Sequence, residues 1–539
     1  MLTLPLEPTD DRANPAFKDA AGCAQWLGQL QLTNLQLAHS LLLTQINELN
    51  RYPMRGLERL NTLERLRETV GYVQDDYAKK LIAKPLPLND SELMVFVAIV
   101  QLWQALVLGY QRCLQAYMAG DKQLEKYGAL LCQRCLLYSG LEIFEHLRTG
   151  YEFSSKLWHQ LHELYAFAEA QGLQQAEVDD PLSAIEPRSS CRSSYVKILL
   201  ACHARPAELT RSQLQLLDRW LTLWSNTIAV ERSYTTSKGD AQPLAVDLNS
   251  TYGLHPVKQV AHSEGMRYLA IVPLSKLLRV KTILLQQGQS PQQVGLGNHS
   301  NSSDCIEFLS FLHQCWCEDH NTRFGERRPA AQEALLCYKM EGIYVHLSGK
   351  SFNQPGRNGA IDSEGRRQIE TYGRVLDTHG KEPLERGFPL ETWHFENESI
   401  LGARLTREGT VGGRLNYHQL VALRPIDEET FMLGATAWTN VTAAGQLQIG
   451  VRYLPGTAEP VNVRATGVNL TVSDKYVPAF LLQAVPALKI PPSLVVPRDW
   501  FQAGRVVEVL SLNSEKQNAK MGFSVERGFD FERVSFTLV

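Results

Sequence analysis

The chain has 539 residues, 44% hydrophobic and 21% charged, enough apolar surface for about three or four packed domains. Gly at 37 and Pro at 25 residues are ordinary numbers, which excludes collagen-like and low-complexity architectures. With 54 Lys+Arg against 57 Asp+Glu the net charge is −3, so bulk charge points to neither a nucleic-acid polymer nor an anionic membrane, and an anionic ligand would need a local arginine cluster.

The opening stretch, MLTLPLEPTDDRANP, has no basic region followed by an apolar one, so no signal peptide is expected and the chain reads as cytoplasmic. Leu57, Leu60, Leu63, Leu66, Val70, Val73, Tyr77 and Leu81 then recur at steps of three and four, one stripe of an amphipathic helix. Leu93 to Leu108 (LMVFVAIVQLWQALVL) is the one membrane candidate. It falls short of the ~20 residues a span needs and carries Gln101 and Gln104, so a buried core helix is expected and no membrane span. Trp158, Leu161, Tyr165 and Ala168 mark another helix, as do Leu209, Leu216, Trp220 and Leu223. Residues 1–232 are therefore expected to form an all-helical domain, its hairpins carrying no repeat clean enough to name.

Ten cysteines in so long a chain do not specify a disulfide scaffold, and Cys113, Cys132, Cys202 and Cys305 sit in apolar helical contexts. Cys132-Gln-Arg-Cys135 lies in mid-helix without the βαβ setting of a thioredoxin-like site. His159 and His162 read as packing or surface residues.

After the polar stretch Ser233 to Gln242, residues 243–320 are expected as a mixed connector. LAVDLN and RYLAIVPL read as strands, Leu274 to Gln286 as a helix, and Gln287 to Ser303 as a mobile linker. Asp304 with Glu307 looks like a capping box opening the helix IEFLSFLHQCW. In HQCWCEDH, His313, Cys317 and His320 could share a helix face while Cys315 falls on the apolar stripe. No second ligand pair stands at zinc-finger spacing, so neither a metal nor another cofactor is expected.

From Glu333 the period changes from 3.6 to 2. ALLCYKMEGIYVHLSG, NYHQLVALRP, TFMLGATAW, GQLQIGVRYL and GRVVEVLSL are short, β-rich and bounded by Gly, Pro, Asp and Asn, the pattern of a small barrel or sandwich. The expected fold class is α+β multidomain: an all-helical front, an antiparallel β-barrel at 321–456 with an insertion at about 352–391, and a β-rich region at 460–539. Whether that last region completes the barrel or forms another is open at this point. A P-loop, a dinucleotide fingerprint, HExxH and a GxSxG elbow are all missing, so no enzymatic activity is expected.

Two motifs carry recognition chemistry. Arg323, Arg327 and Arg328 fall within six positions at the helix–barrel junction, a local anion site in a neutral chain. Guanidinium groups clamp phosphate bidentately, pair with guanine O6 and N7, and stack on a base. Further on stands Asn397-Glu-Ser399-Ile-Leu-Gly402, where short polar side chains can read a guanine edge and a glycine admits close backbone approach.

This pair resembles the PilZ family of cyclic-di-GMP receptors, which joins an RxxxR segment ahead of a β-barrel to [D/N]xSxxG on its surface. Arg323 and Arg327 take the RxxxR positions, and Asn397, Ser399 and Gly402 fill the second motif. Leu433 to Trp438 followed by Gly445 to Val451 resembles the family's strand ending. The resemblance implies cyclic-di-GMP as ligand, Arg323, Arg327, Arg328, Asn397, Ser399 and Gly402 as its contacts, and a front domain that passes the signal to a protein partner. Two departures stand out. The stretch from Arg327 to Asn397 is longer than the family usually shows, which the insertion accounts for, and Asn397 replaces the commoner Asp. Were the insertion placed differently, the arginines would be Arg366, Arg367 and Arg374, which do not keep the spacing. The competing reading is a ligand-independent interaction scaffold with a degenerate barrel.

Overall fold

The computed structural model describes residues 2–4, 8–237, 239–318, 328–329, 332–354, 387–466 and 475–539. It divides into two compact units, Met1–Lys84 with Leu88–Arg323, and Pro85–Pro87 with Phe324–Val539.

The first unit opens with α1 (Ala20–Gln29), α2 (Leu35–Arg51), α3 (Gly56–Ala78), α4 (Asp90–Met118), α5 (Gly128–Thr149) and α6 (Ser155–Ala170). A two-stranded ribbon, β1 (Val178–Asp179) with β2 (Arg188–Ser189), precedes α7 (Cys191–His203) and α8 (Arg211–Trp224). Asn89 starts α4 through a full capping box: its side chain accepts the Glu92 N–H while the Glu92 carboxylate accepts the Asn89 N–H. By length and hydropathy α4 could cross a membrane. Here it packs against α2, α3 and α5, burying Phe96, Ile99, Leu102, Leu106, Tyr110 and Leu114. Cys132 and Cys135 are buried on α5, and burial pushes the Cys135 thiol far above its ordinary range.

Charges are buried in this unit as a closed network. Arg67 Nη2 donates to both Asp180 oxygens at 2.7 and 2.8 Å, its Nη1 to Glu64 at 3.0 Å and its Nε to the Tyr138 hydroxyl at 2.7 Å. Arg134 donates to Glu64 at 3.0 Å and lies 3.4 Å from Asp180, and the Tyr110 hydroxyl donates to Glu64 at 2.7 Å. Each charge of this network thus has an opposite partner.

Glu142 on α5 lacks one. Burial pushes its carboxyl up to about 7, opposed only by the amide of Gln104 donating at 2.7 Å. The folded state therefore binds the proton more tightly than the unfolded chain, and stability falls as pH rises from the usual carboxylate range through about 7. Glu142→Gln is expected to flatten that slope and to stabilise the protein at pH 8 by roughly 2 kcal/mol. Unfolding midpoints at pH 5 and pH 8 check it, and parallel pH profiles for the two proteins would refute it.

The described part of the expected connector 243–320, residues 243–318, folds onto these helices. A small antiparallel sheet in the order β3-β6-β4-β5 comprises β3 (Val230–Glu231), β4 (Leu244–Asp247), β5 (His255–Pro256) and β6 (Met266–Leu269), with α9 (Val272–Gln286) and α10 (Ser302–Cys317) after it. Three expectations are corrected. The strand read through RYLAIVPL stops at Leu269, because Pro273 sits at the start of α9. The linker 287–303 is pinned: Pro291, Val294 and Leu296 are buried, and the Trp220 indole donates to the Leu296 carbonyl at 3.1 Å. The cap of α10 is Asn301, whose side chain accepts the Asp304 N–H, so the helix starts before the expected box. His313 lies between Ser275 Oγ (3.0 Å), Arg279 (3.1 Å) and Glu318 (3.1 Å), while the Trp316 indole donates to Leu200 at 3.1 Å. His320 lies outside the described residues.

The second unit contains two barrels. The first runs β7 (Arg328–Pro329), β8 (Glu333–Tyr338), α11 (Met340–Ser348), β9 (Glu391–Ser399), β10 (Gly402–Glu408), β11 (Leu420–Pro425), β12 (Met432–Val441) and β13 (Gln446–Tyr453). Antiparallel pairing closes the ring β8-β9-β10-β13-β12-β11-β8, and β7 continues the line of β8 along β9. The expected antiparallel barrel is present. The segment KMEGIYVHLSG, read as strand, is instead the helix α11, with Met340, Ile343 and Tyr344 buried at helical spacing. Pro85–Pro87 joins this unit through Leu86, which bridges Leu415, and through Arg414, which donates to the Pro85 and Pro87 carbonyls.

The described residues of the region 460–539 form a barrel of their own. β14 (Ala458–Ala465), β15 (Val477–Leu482), β16 (Ser493–Pro497), β17 (Val506–Ser511), β18 (Lys516–Arg527) and β19 (Phe531–Leu538) close in the order β14-β15-β16-β19-β18-β17. Val461, Val463, Ala479, Leu494, Val496, Val507 and Val534 fill its interior. A separate apolar cluster joins the two barrels. Cys337, Leu420, Ala422, Leu433 and Ala435 of the first meet Phe480, Leu482, Val495 and Phe531 of the second, with Ile343 and Tyr344 of α11 between them. Polar bonds fix the contact: Asp530 accepts the Leu420 N–H at 2.9 Å, and the Tyr344 hydroxyl donates to Asn462 at 2.9 Å.

Candidate functional site

The pleat decides which side chains of the first barrel face outward. On β10, Ala403, Leu405 and Arg407 are buried, leaving Gly402, Arg404 and Thr406 on the outer face. On β9, Trp393 and Phe395 are buried, and strict alternation would send Asn397 and Ser399 inward after them. They face outward because the register slips. Leu405 pairs with Phe395 but Arg404 pairs with Asn397, so Glu396 is an extra residue forming a β-bulge. Beyond it Asn397 stands opposite Arg404 and Ser399 opposite Gly402.

A second slip, between Thr436 and Trp438, does the same for β12. Asn397, Arg404, Gly450 and Trp438 consequently form one row across four strands. A Cβ on Gly450 would lie 2.1 Å from Trp438 Nε1, so the missing side chain lets the indole lie across the strand. The Arg404 guanidinium sits over that indole at 5.7 Å, its Nε 2.6 Å from Glu396 and its Nη2 donating to Gln448 at 2.8 Å.

The turn above this row is tight. Ser399 Oγ donates to the Gly402 carbonyl at 3.2 Å, and a Cβ on Gly402 would lie 2.1 Å from the Val451 carbonyl oxygen. Ile400 at its tip is 88% exposed. Behind it the Tyr453 hydroxyl donates to Glu398 at 2.6 Å, and burial with this carboxylate beside it pushes the phenol far up. Arg452, next in the outer row, pairs with Glu526, which also meets His418 at 2.8 Å. Burial alone would raise the Glu526 carboxyl, but His418 and Arg452 hold it below its ordinary range.

Among the sequence-predicted site residues, Asn397, Ser399 and Gly402 come together on this face. Arg328 reaches it through its backbone, pairing with Glu398, while Pro329 pairs with Asn397. Arg323 and Arg327, like Arg366, Arg367 and Arg374, lie outside the described residues. Sequence reasoning missed Glu396, Arg404 and Gln448, and it read Trp438 and Gly450 only as part of the strand ending. The face combines an aromatic–guanidinium pair with short amide and hydroxyl side chains. At the opposite end of β9, Glu391 is closed into the fold by the Gly413 N–H (2.6 Å), the Tyr338 hydroxyl (2.9 Å) and Arg407 (3.2 Å). No group of three metal-ligating side chains stands together among the described residues.

Two family models match the chain: "Cyclic-di-GMP receptor FimW, N-terminal domain" over residues 20–234, and "FimW C-terminal beta-barrel domain" over residues 463–539. The chain belongs to the FimW family. Its similarity to the Cyclic-di-GMP receptor FimW of Pseudomonas aeruginosa extends along almost the whole length, 22% identical over 557 residues, 95% of this chain and 90% of that one. The two FimW matches cover the helical front and the second barrel, and the outer row described above lies between them.

Proposed function

We propose that this FimW-family chain is a cytoplasmic bacterial cyclic-di-GMP receptor, a binding protein rather than an enzyme, with a first barrel of PilZ type. The dianion would be clamped by Arg323, Arg327 and Arg328, with Asn397 and Ser399 reading a guanine edge and Gly402 giving the close approach. The observation that supports this reading is the pairing of Arg328 with Glu398, which sets the strand directly following the RxxxR segment alongside the NxSxxG strand. The named relative supports the ligand class.

Residues 319–327 link α10 to β7 in sequence, so binding of the ligand at their arginines would transmit the signal to the helical unit and, through it, to a protein partner. A stability measurement separates this reading from the scaffold. A specific ligand at 100 times its Kd adds about 2.7 kcal/mol, so cyclic-di-GMP raises the unfolding temperature of a receptor and leaves that of a scaffold unchanged.

A further inference from the structure

The bulge in β9 has a chemical clamp. Glu396 is the residue with no partner in the β9–β10 register, and its carboxylate is held from both sides. Arg404 Nε approaches Oε2 at 2.6 Å, and the Gln448 amide donates to Oε1 at 2.8 Å. Gln448 in turn accepts from Arg404 Nη2 at 2.8 Å, which closes a three-residue ring beside Trp438 on the outer face. A bulge reverses the facing of every residue beyond it, and here those residues are Asn397 and Ser399.

We propose that Glu396 is the positioning residue of the ligand face: clamped by Arg404 and Gln448, it keeps the extra residue in β9 and so holds Asn397 and Ser399 toward the ligand. This rests on the cyclic-di-GMP reading above for its ligand, but not for its geometry. The clamp also explains an acidic residue beside a site for an anion. Glu396 is neutralised by Arg404, and the pair fixes the backbone instead of repelling the phosphates. Positioning of this kind matters because recognition groups must be held to within about 0.5 Å of the productive geometry.

Two readouts test it on the full chain. Cyclic-di-GMP titration is expected to show Glu396→Ala and Gln448→Ala weakened about tenfold or more, with Glu396→Gln, which keeps an acceptor for Arg404, close to wild type. Equal affinity across all four proteins overturns the proposal, as does a loss in Glu396→Gln as large as in Glu396→Ala. The second readout needs no ligand: maleimide labelling of Asn397→Cys, with the parent protein as blank, in the presence and absence of Glu396. Deletion of Glu396 restores strict alternation and is expected to slow labelling at least tenfold, and an unchanged rate overturns the proposal. If the deletion does not fold, Glu396→Ala in the same background takes its place, with slower labelling expected and an unchanged rate counting against. If wild type fails to bind cyclic-di-GMP, the functional reading falls, and the labelling alone decides whether Glu396 sets the facing of the strand.

Discussion

Phe531→Ala is expected to destabilise both barrels together, by about 3–5 kcal/mol. Phe531 begins β19 of the second barrel, yet its fully buried ring belongs to the cluster that joins the barrels. It meets the His418 ring edge-on at 6.0 Å and lies in one cluster with Leu420 and Ala422 of the first barrel and Phe480 and Val495 of the second. Truncation leaves a cavity bounded by two barrels, each with its own interior, so neither collapses readily into the gap. The backbone around it is also pinned, since the Phe529 N–H donates to the His418 carbonyl at 2.7 Å and Asp530 accepts from Leu420. Native-state amide exchange checks this: protection should fall in β11 and β12 as well as in β16 and β19. Loss confined to the second barrel would show that the two unfold independently.

Arg67→Ala is expected to cost the helical unit a comparable amount, about 3–5 kcal/mol, for an electrostatic reason. The Arg67 guanidinium spans Asp180, Glu64 and the Tyr138 hydroxyl, and its removal strands a carboxylate that is 10% exposed. Arg134 is 3.4 Å from the same carboxylate and already committed to Glu64, so it compensates only in part. Replacing both partners, Arg67→Met with Asp180→Leu, should recover much of the loss, because an apolar pair leaves no unpaired charge behind. Urea unfolding of the two variants checks both statements, and a double variant no better than Arg67→Ala would contradict the second.

The helical front was legible because its stripes are long. Leu60, Leu63, Leu66, Val70, Val73 and Tyr77 are all buried on α3 at the expected steps. Short elements were harder. Met340, Ile343, Tyr344 and Leu347 carry a helical period, but Ile343, Val345 and the preceding strand residues favour β, and only the cluster between the barrels decides for α11. The linker 287–303 looked solvated because its apolar residues are few, and burial of Pro291, Val294 and Leu296 is a tertiary fact. One missed signal was present. Leu420-Val421-Ala422-Leu423 is a run of four fully buried residues, which a barrel with one solvated face does not need and a strand covered on both sides does.

Part of the candidate motif was legible in the sequence, and the geometry that brings its residues together was not. The NxSxxG spacing picks out Asn397, Ser399 and Gly402, but nothing in that spacing reveals a bulge, because one extra residue leaves the local composition of a strand unchanged. Without it the period-2 reading sends those side chains into the barrel. The same blind spot hid Arg404 and Trp438. Their proximity depends on a cross-strand row through Gly450, and long-range register is the information a single sequence withholds.

The central claim is that an arginine segment and the outer face of the first barrel hold one nucleotide. Isothermal titration of the full chain with cyclic-di-GMP, wild type beside Arg327→Ala, tests it most directly. Saturable binding by wild type and a loss of at least tenfold in Arg327→Ala is the predicted result. No heat from wild type would contradict the receptor reading, and equal binding by the variant would move the site away from the arginine segment.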